Sequence, residues 1–150
     1  MNDPLRERAL RLLARRDYAR LELAARLAPH AAGSAAPLDA LLDALAASGL
    51  LSDERYAGAR VNLRGARVGD ARLAYELRSK GVADDLVRAA LAAGEDELTR
   101  ARRVWQRKFG RQRTVADDAT KRIRQMRFLA GRGFSSDTIR RVLRGNLEDD

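Results

Sequence analysis

Residues 72–91 read RLAYELRSKGVADDLVRAAL and residues 124–143 read RQMRFLAGRGFSSDTIRRVL. The two segments align at a constant offset of 52 with no gap. Arg72 matches Arg124, Leu77 matches Leu129 and Gly81 matches Gly133. Asp85, Arg88 and Leu91 match Asp137, Arg140 and Leu143. Types persist between the identities, as in Lys80 with Arg132, Val82 with Phe134 and Val87 with Ile139. A repeat of this length is one supersecondary unit used more than once, which favours an array over a globule built around a single pocket.

The units are helical. Alanine, leucine and arginine dominate, and all three are good helix formers. Asp3-Pro4 is a helix start, with Leu5, Ala9, Leu12 and Leu13 at helical spacing behind it. After Asp17-Tyr18 a second helix places Leu21, Ala24 and Leu27 on one face. Pro29 to Pro37 reads as a loop. Leu38, Leu41, Leu42 and Leu45 form a third stripe, ended by Ser48-Gly49. Ser52 caps a fourth helix, predicted to turn Tyr56, Ala59 and Leu63 inward. Two helices around Gly81 make the first copy of the repeat.

Glu95, Asp96 and Glu97 open a further helix, where its dipole prefers negative charge. Its predicted buried stripe is Leu98, Ala101, Trp105 and Phe109. Ile123, Met126 and Ala130 are the expected inward face of the next helix, stopped by Gly131 and Gly133. The last begins at Ser135, with Phe134 and Ile139 as a hydrophobic staple. The expected fold is therefore all-α: about nine helices as three three-helix repeats, residues 5–48, 52–93 and 95–145, in an elongated array. In the degenerate first copy, Leu23 and Leu27 stand where Leu73 and Leu77 stand later.

Enzyme chemistry has little to work with. There is no cysteine, and the single histidine, His30, sits in an Ala/Pro-rich loop. No nucleophile elbow, P-loop or HExxH motif occurs. Asp84-Asp85 invites a metal reading, but a helix N-terminus accounts for the pair. No catalytic residue, metal or cofactor is expected. No apolar run is long enough for a signal or a membrane span, so a cytoplasmic, non-membrane protein is expected.

Charge is more informative. Residues 1–99 carry 15 basic and 15 acidic side chains, whereas residues 100–145 carry 15 basic and only 3 acidic ones. The C-terminal third alone looks built for a polyanion or an acidic protein groove. Arg100, Arg103 and Arg107 share a helix face opposite Leu98, Trp105 and Phe109. Arg140, Arg141 and Arg144 cluster on the last helix, and Lys121 and Arg124 on the helix between. Lys108, Arg111, Arg113, Arg127 and Arg132 complete the candidate binding set. Each arginine alone also fits an ordinary solvated surface. Phe128 lies on the Lys121/Arg124 side, where it could stack a base or pack against the neighbouring helices. A helix-glycine-helix unit also resembles a helix-turn-helix, with the last helix as reader of a major groove.

SDERYA at 52–57, ARLAYELRSKGV at 71–82 and MRFLAGRGFSSDTIRRVL at 126–143 resemble, in order and spacing, the RecX family. LLARRDYARLELAARL at 12–27 fits the same pattern, so the resemblance spans about residues 5–145. It implies tandem three-helix repeats in a curved, elongated molecule and a non-enzymatic inhibitor of the RecA filament on single-stranded DNA; a monomer is expected. RecA's ATPase, strand-exchange and coprotease activities would fall as a result. The family brings no catalytic residues. Two features depart from its pattern: the Ala-rich segment 29–37, and Gly131 where a basic residue is expected.

Overall fold

The computed structural model describes residues 3–33, 37–111 and 119–148. These contain nine α-helices and no strand: α1 Pro4–Arg15, α2 Arg20–Leu27, α3 Leu38–Ala47, α4 Asp53–Arg64, α5 Asp70–Ser79, α6 Asp84–Ala93, α7 Glu97–Phe109, α8 Ala119–Gly131 and α9 Ser136–Glu148. Ala28–Gly33, expected as loop, winds into a 3-10 helix.

Side-chain caps start several of the helices. The Asp3 carboxylate accepts the Leu5 N–H at 3.0 Å, with Pro4 in the first turn. Ser52 Oγ accepts from Arg55 N at 3.1 Å, and Ser135 Oγ accepts from Thr138 N at 3.2 Å. Phe134 and Ile139 are both buried, as a staple requires.

The repeated glycines close identical turns. Gly81 has φ +81° and Gly133 has φ +90°, a region in which a Cβ is strained. Val82 N–H reaches back to Leu77 C=O at 3.1 Å, and Phe134 N–H to Leu129 C=O at 3.2 Å. This is the six-residue closure of a Schellman turn, made twice.

Three hydrophobic clusters follow one another along the chain. The first joins Leu5, Leu23, Leu27, Leu42 and Leu45. The second joins Tyr56, Val61, Leu73, Leu77 and Val87, and draws in Ala19 from the first unit. The third joins Trp105, Phe109, Leu129, Phe134 and Val142. The three cores lie in series along the chain, one for each three-helix unit.

Leu23, Leu27, Leu73 and Leu77 are all fully buried, so the first unit repeats the second at these positions. Three inward faces differ from expectation. Leu21 is exposed, and α2 turns Leu23 inward instead. In α4, Ala59 and Leu63 face solvent while Tyr56, Ala57 and Val61 are buried. In α8, Ile123, Met126 and Ala130 are exposed, and Gln125, Leu129 and part of Phe128 turn inward. Gln125 occupies the position of Leu73 in the earlier copy. Its Oε1 accepts the Trp105 indole N–H at 2.9 Å, while its buried Nε2 has no hydrogen-bond partner among the described residues.

Adjacent units join through the same device twice. The backbone N–H of Arg20, first residue of α2, donates to Asp53, first residue of α4, at 2.7 Å. The N–H of Asp70, first residue of α5, donates to Glu97, first residue of α7, also at 2.7 Å. In each case a carboxylate of the following unit satisfies an otherwise orphaned helix N-terminus and meets its positive dipole end. The turn glycines dock alongside. A Cβ on Gly81 would lie 2.8 Å from the Leu21 side chain, and one on Gly133 would lie 2.5 Å from Arg72 Cβ. Gly69 sits directly against the Gly133 backbone and donates its N–H to Arg132 C=O at 2.8 Å.

Candidate nucleic-acid and partner interface

The seam between α4–α6 and α7–α9 sorts the basic residues. Arg100 leaves the expected binding face: it is 4% exposed. Its guanidinium donates to Gly65 C=O at 3.1 Å, to Val68 C=O at 2.7 Å and to the Asp70 carboxylate, while Nε donates to Glu95 C=O. Arg100 therefore ties the α4–α5 connection to α7 and acts in folding. Arg103 pairs with Glu95 through two hydrogen bonds, at 2.8 and 3.1 Å. That pairing lowers the Glu95 carboxyl and raises the Arg103 guanidinium. Arg107 stays exposed but donates to Ala66 C=O. The partners of these arginines all lie before residue 99: Glu95 close by, Ala66 and Asp70 thirty or more residues back.

Glu97 is the centre of the seam. Besides Asp70 N–H it accepts Ser135 N–H at 3.2 Å and Thr138 Oγ1–H at 2.7 Å. Burial pushes its carboxyl up, but these donors outweigh burial and hold it below the ordinary range. Asp70 shifts the other way: burial raises it, Arg100 opposes, and Glu97 and Asp96 add repulsion.

Two basic surfaces remain. The first is a notch across the seam, lined by Arg67, Val104, Arg107, Lys108, Phe128 and Arg132. Arg67 comes from the charge-neutral part of the sequence and was not among the expected residues. Phe128 makes an edge contact with Phe109, centroids 5.4 Å apart, and lies beneath the cations of Arg132 at 5.0 Å and Lys108 at 5.5 Å. Phe128 packs as structure would have it, and its ring carries cations rather than standing free for a base.

The second surface is the outer side of α8. Exposed Ile123 lines a groove with Thr120, Arg124 and Arg127, and Met126 is exposed on the same helix. On α9, Arg140, Arg141 and Arg144 are all exposed, with Asp137 3.6 Å from Arg140. Arg111 is exposed beyond α7, Lys121 is half-buried in α8, and Arg113 lies outside the described residues. Among the described residues no group of His, Asp and Glu is placed to hold a metal ion, and no helix is long and apolar enough to cross a membrane.

Three-helix units in series, with open basic surfaces on the last, define an all-α helical-repeat protein. Family models agree in detail. The RecX second three-helix domain matches residues 52–91, and the RecX third three-helix domain matches residues 95–143. The regulatory protein RecX of Chromobacterium violaceum is 49% identical over 146 residues, covering 97% of this chain and 93% of that protein. That of Leptothrix cholodnii is 49% identical over 141 residues, covering 93% and 87%. The crystal structure of RecX from Lactobacillus salivarius superposes with a TM-score of 0.77 at 18% identity, covering 94% of this chain and 93% of that one. The chain belongs to the RecX family.

Proposed function

We propose that this protein is a non-enzymatic regulator that binds RecA filaments on single-stranded DNA and lowers RecA ATPase, strand-exchange and coprotease activity. Its place in the RecX family carries the reading. The basic third supports it physically. Arg124, Arg127, Arg141 and Arg144 make no carboxylate pair among the described residues, so an outside polyanion or acidic surface can neutralise them. Exposed Ile123 and Met126 beside Arg124 and Arg127 suit a protein contact with an acidic rim. Several units in series let weak contacts add along a filament. The protein acts as a monomer in the cytoplasm, with no catalytic group of its own.

Substoichiometric protein is expected to slow DNA-dependent ATP hydrolysis by RecA, and the double variant Arg141→Glu, Arg144→Glu to inhibit less. An unchanged ATPase rate at molar excess of the intact protein overturns the proposal.

The exposed Arg140, Arg141 and Arg144 face of α9 favours one second reading, a sequence-specific duplex reader. Retention of one duplex against excess scrambled DNA in a gel shift would establish it; equal competition by any DNA would dismiss it.

A further inference from the structure

The notch between the second and third units holds four cations: Arg67 before α5, Arg107 and Lys108 on α7, and Arg132 after α8. Among the described residues none of the four is paired with a carboxylate. Their neighbours on α7 behave differently, since Arg100 and Arg103 each have one. Neutral groups hold three of them in place, while the Arg67 side chain is exposed at the edge. Arg107 donates to Ala66 C=O, and Arg132 Nη1 donates to Arg67 C=O at 3.4 Å. Arg132 and Lys108 rest over Phe128, whose ring face attracts cations without cancelling their charge. Val104, buried beneath, keeps the floor apolar. The result is a cluster of four like charges, three of them fixed by neutral contacts.

We propose that this notch binds a backbone phosphate of single-stranded nucleic acid, with Arg67 as the contribution of the second unit. Guanidinium forks present parallel N–H donors to phosphate oxygens, and Lys108 adds a point charge. Four cations exceed what a lone carboxylate would neutralise. A strand whose charge repeats along its length also meets the open arginines Arg124 and Arg127 of α8. Because Arg67 and Arg132 belong to different units, the site exists only when the seam is closed. The inference rests on the nucleic-acid half of the function proposed above.

The test is fluorescence anisotropy of a labelled oligothymidylate with the full-length protein, without RecA, across a salt series. Arg67→Ala and Arg132→Ala are each expected to weaken binding about 5–10-fold and to reduce the log–log salt slope by about 0.7, the value for one single-strand phosphate contact. Arg67→Lys should recover part of the affinity, and Arg88→Ala, on the exposed side of α6, should change nothing. Circular dichroism melts confirm that each variant is folded. Wild-type affinity and slope in both alanine variants overturn the site. So does polyglutamate that competes as well as the oligonucleotide at equal charge, because the notch would then be an acidic-peptide dock. The two proposals fail separately. Intact RecA inhibition with an inert Arg67 removes only the notch, and Arg67-dependent DNA binding without RecA inhibition removes only the filament reading.

Discussion

The Glu97 carboxylate accepts the backbone N–H of Asp70 at 2.7 Å. Asp53 does the same for Arg20 one unit earlier, at the same distance. An acid at the first position of each new unit thus caps the second helix of the unit before it. In many helices such an acid merely meets its own dipole. Here it also joins consecutive units, and at the second seam Arg67 and Arg132, one from each unit, line one notch.

Replacing Glu97 by Gln should destabilise the protein by about 1.5–3 kcal/mol, the range for hydrogen bonds to a charged group. Three donors, at Asp70, Ser135 and Thr138, lose their charged acceptor. The urea midpoint read from Trp105 fluorescence, the single tryptophan, measures this in the third unit. An unshifted midpoint would mean that the seam does not depend on the charge.

Acid should unfold the protein in a predictable window. Glu22, Glu76 and Glu97 all titrate below the ordinary carboxylate range. In Glu76 the hydrogen bond from Arg64 is the main cause, whereas in Glu22 burial raises the carboxyl and Arg16 overcomes it. Groups with depressed values stabilise the fold above the unfolded carboxylate pKa of about 4.3 and lose that contribution as pH falls through their folded values. Asp70, raised by burial, opposes them: its contribution is present at low pH and lost as pH rises through its folded value. Net stability should therefore fall below about pH 4. The Glu97→Gln variant should show a shallower fall in urea midpoint, and an equal slope in both proteins would contradict the assignment.

Arg100→Ala should cost about 3–5 kcal/mol, as removal of one member of a buried charged cluster does. Gly65 C=O, Val68 C=O and Asp70 would all lose their donor. Thermal melts would show a large loss, whereas Arg141→Ala on the exposed face of α9 should melt within about 0.5 kcal/mol of wild type. Equal, small effects would place Arg100 back on the surface.

Two glycine substitutions separate backbone strain from crowding. Gly49 has φ +81° with nothing within 4 Å of an added Cβ, so Gly49→Ala should cost only the left-handed conformation, about 1–2 kcal/mol. Gly133→Ala adds a collision with Arg72 and should cost about 1–3 kcal/mol more. Equal urea midpoints would show that the seam relaxes freely.

Trp105→Ala should destabilise by about 3–5 kcal/mol, since the indole is 7% exposed among Phe109, Leu129 and Val142. Gln125 Oε1 also loses its donor. Circular dichroism melts measure it, and a loss below about 1 kcal/mol would mean that the third core repacks around the gap.

The amino-acid sequence by itself determined the helical repeat, because glycine stops, caps and apolar spacing act within a few residues of one another. Gly81 with Gly133, Phe134 with Ile139, and Leu23 and Leu27 with Leu73 and Leu77 were all legible that way. It also determined that uncompensated positive charge lies in the last third. The inward faces of α2, α4 and α8 were less legible, because a helix in an array packs on its own unit and on the next, which widens or turns its buried side. Tertiary structure alone decided which cations are free. Arg100 and Asp70 are thirty residues apart, as are Arg67 and Arg107 to within ten, and no local pattern links such partners. Docking of one unit on the next buried Arg100 and brought Arg67 from a neutral stretch to the basic notch, while Arg103 is spent on Glu95 within its own unit.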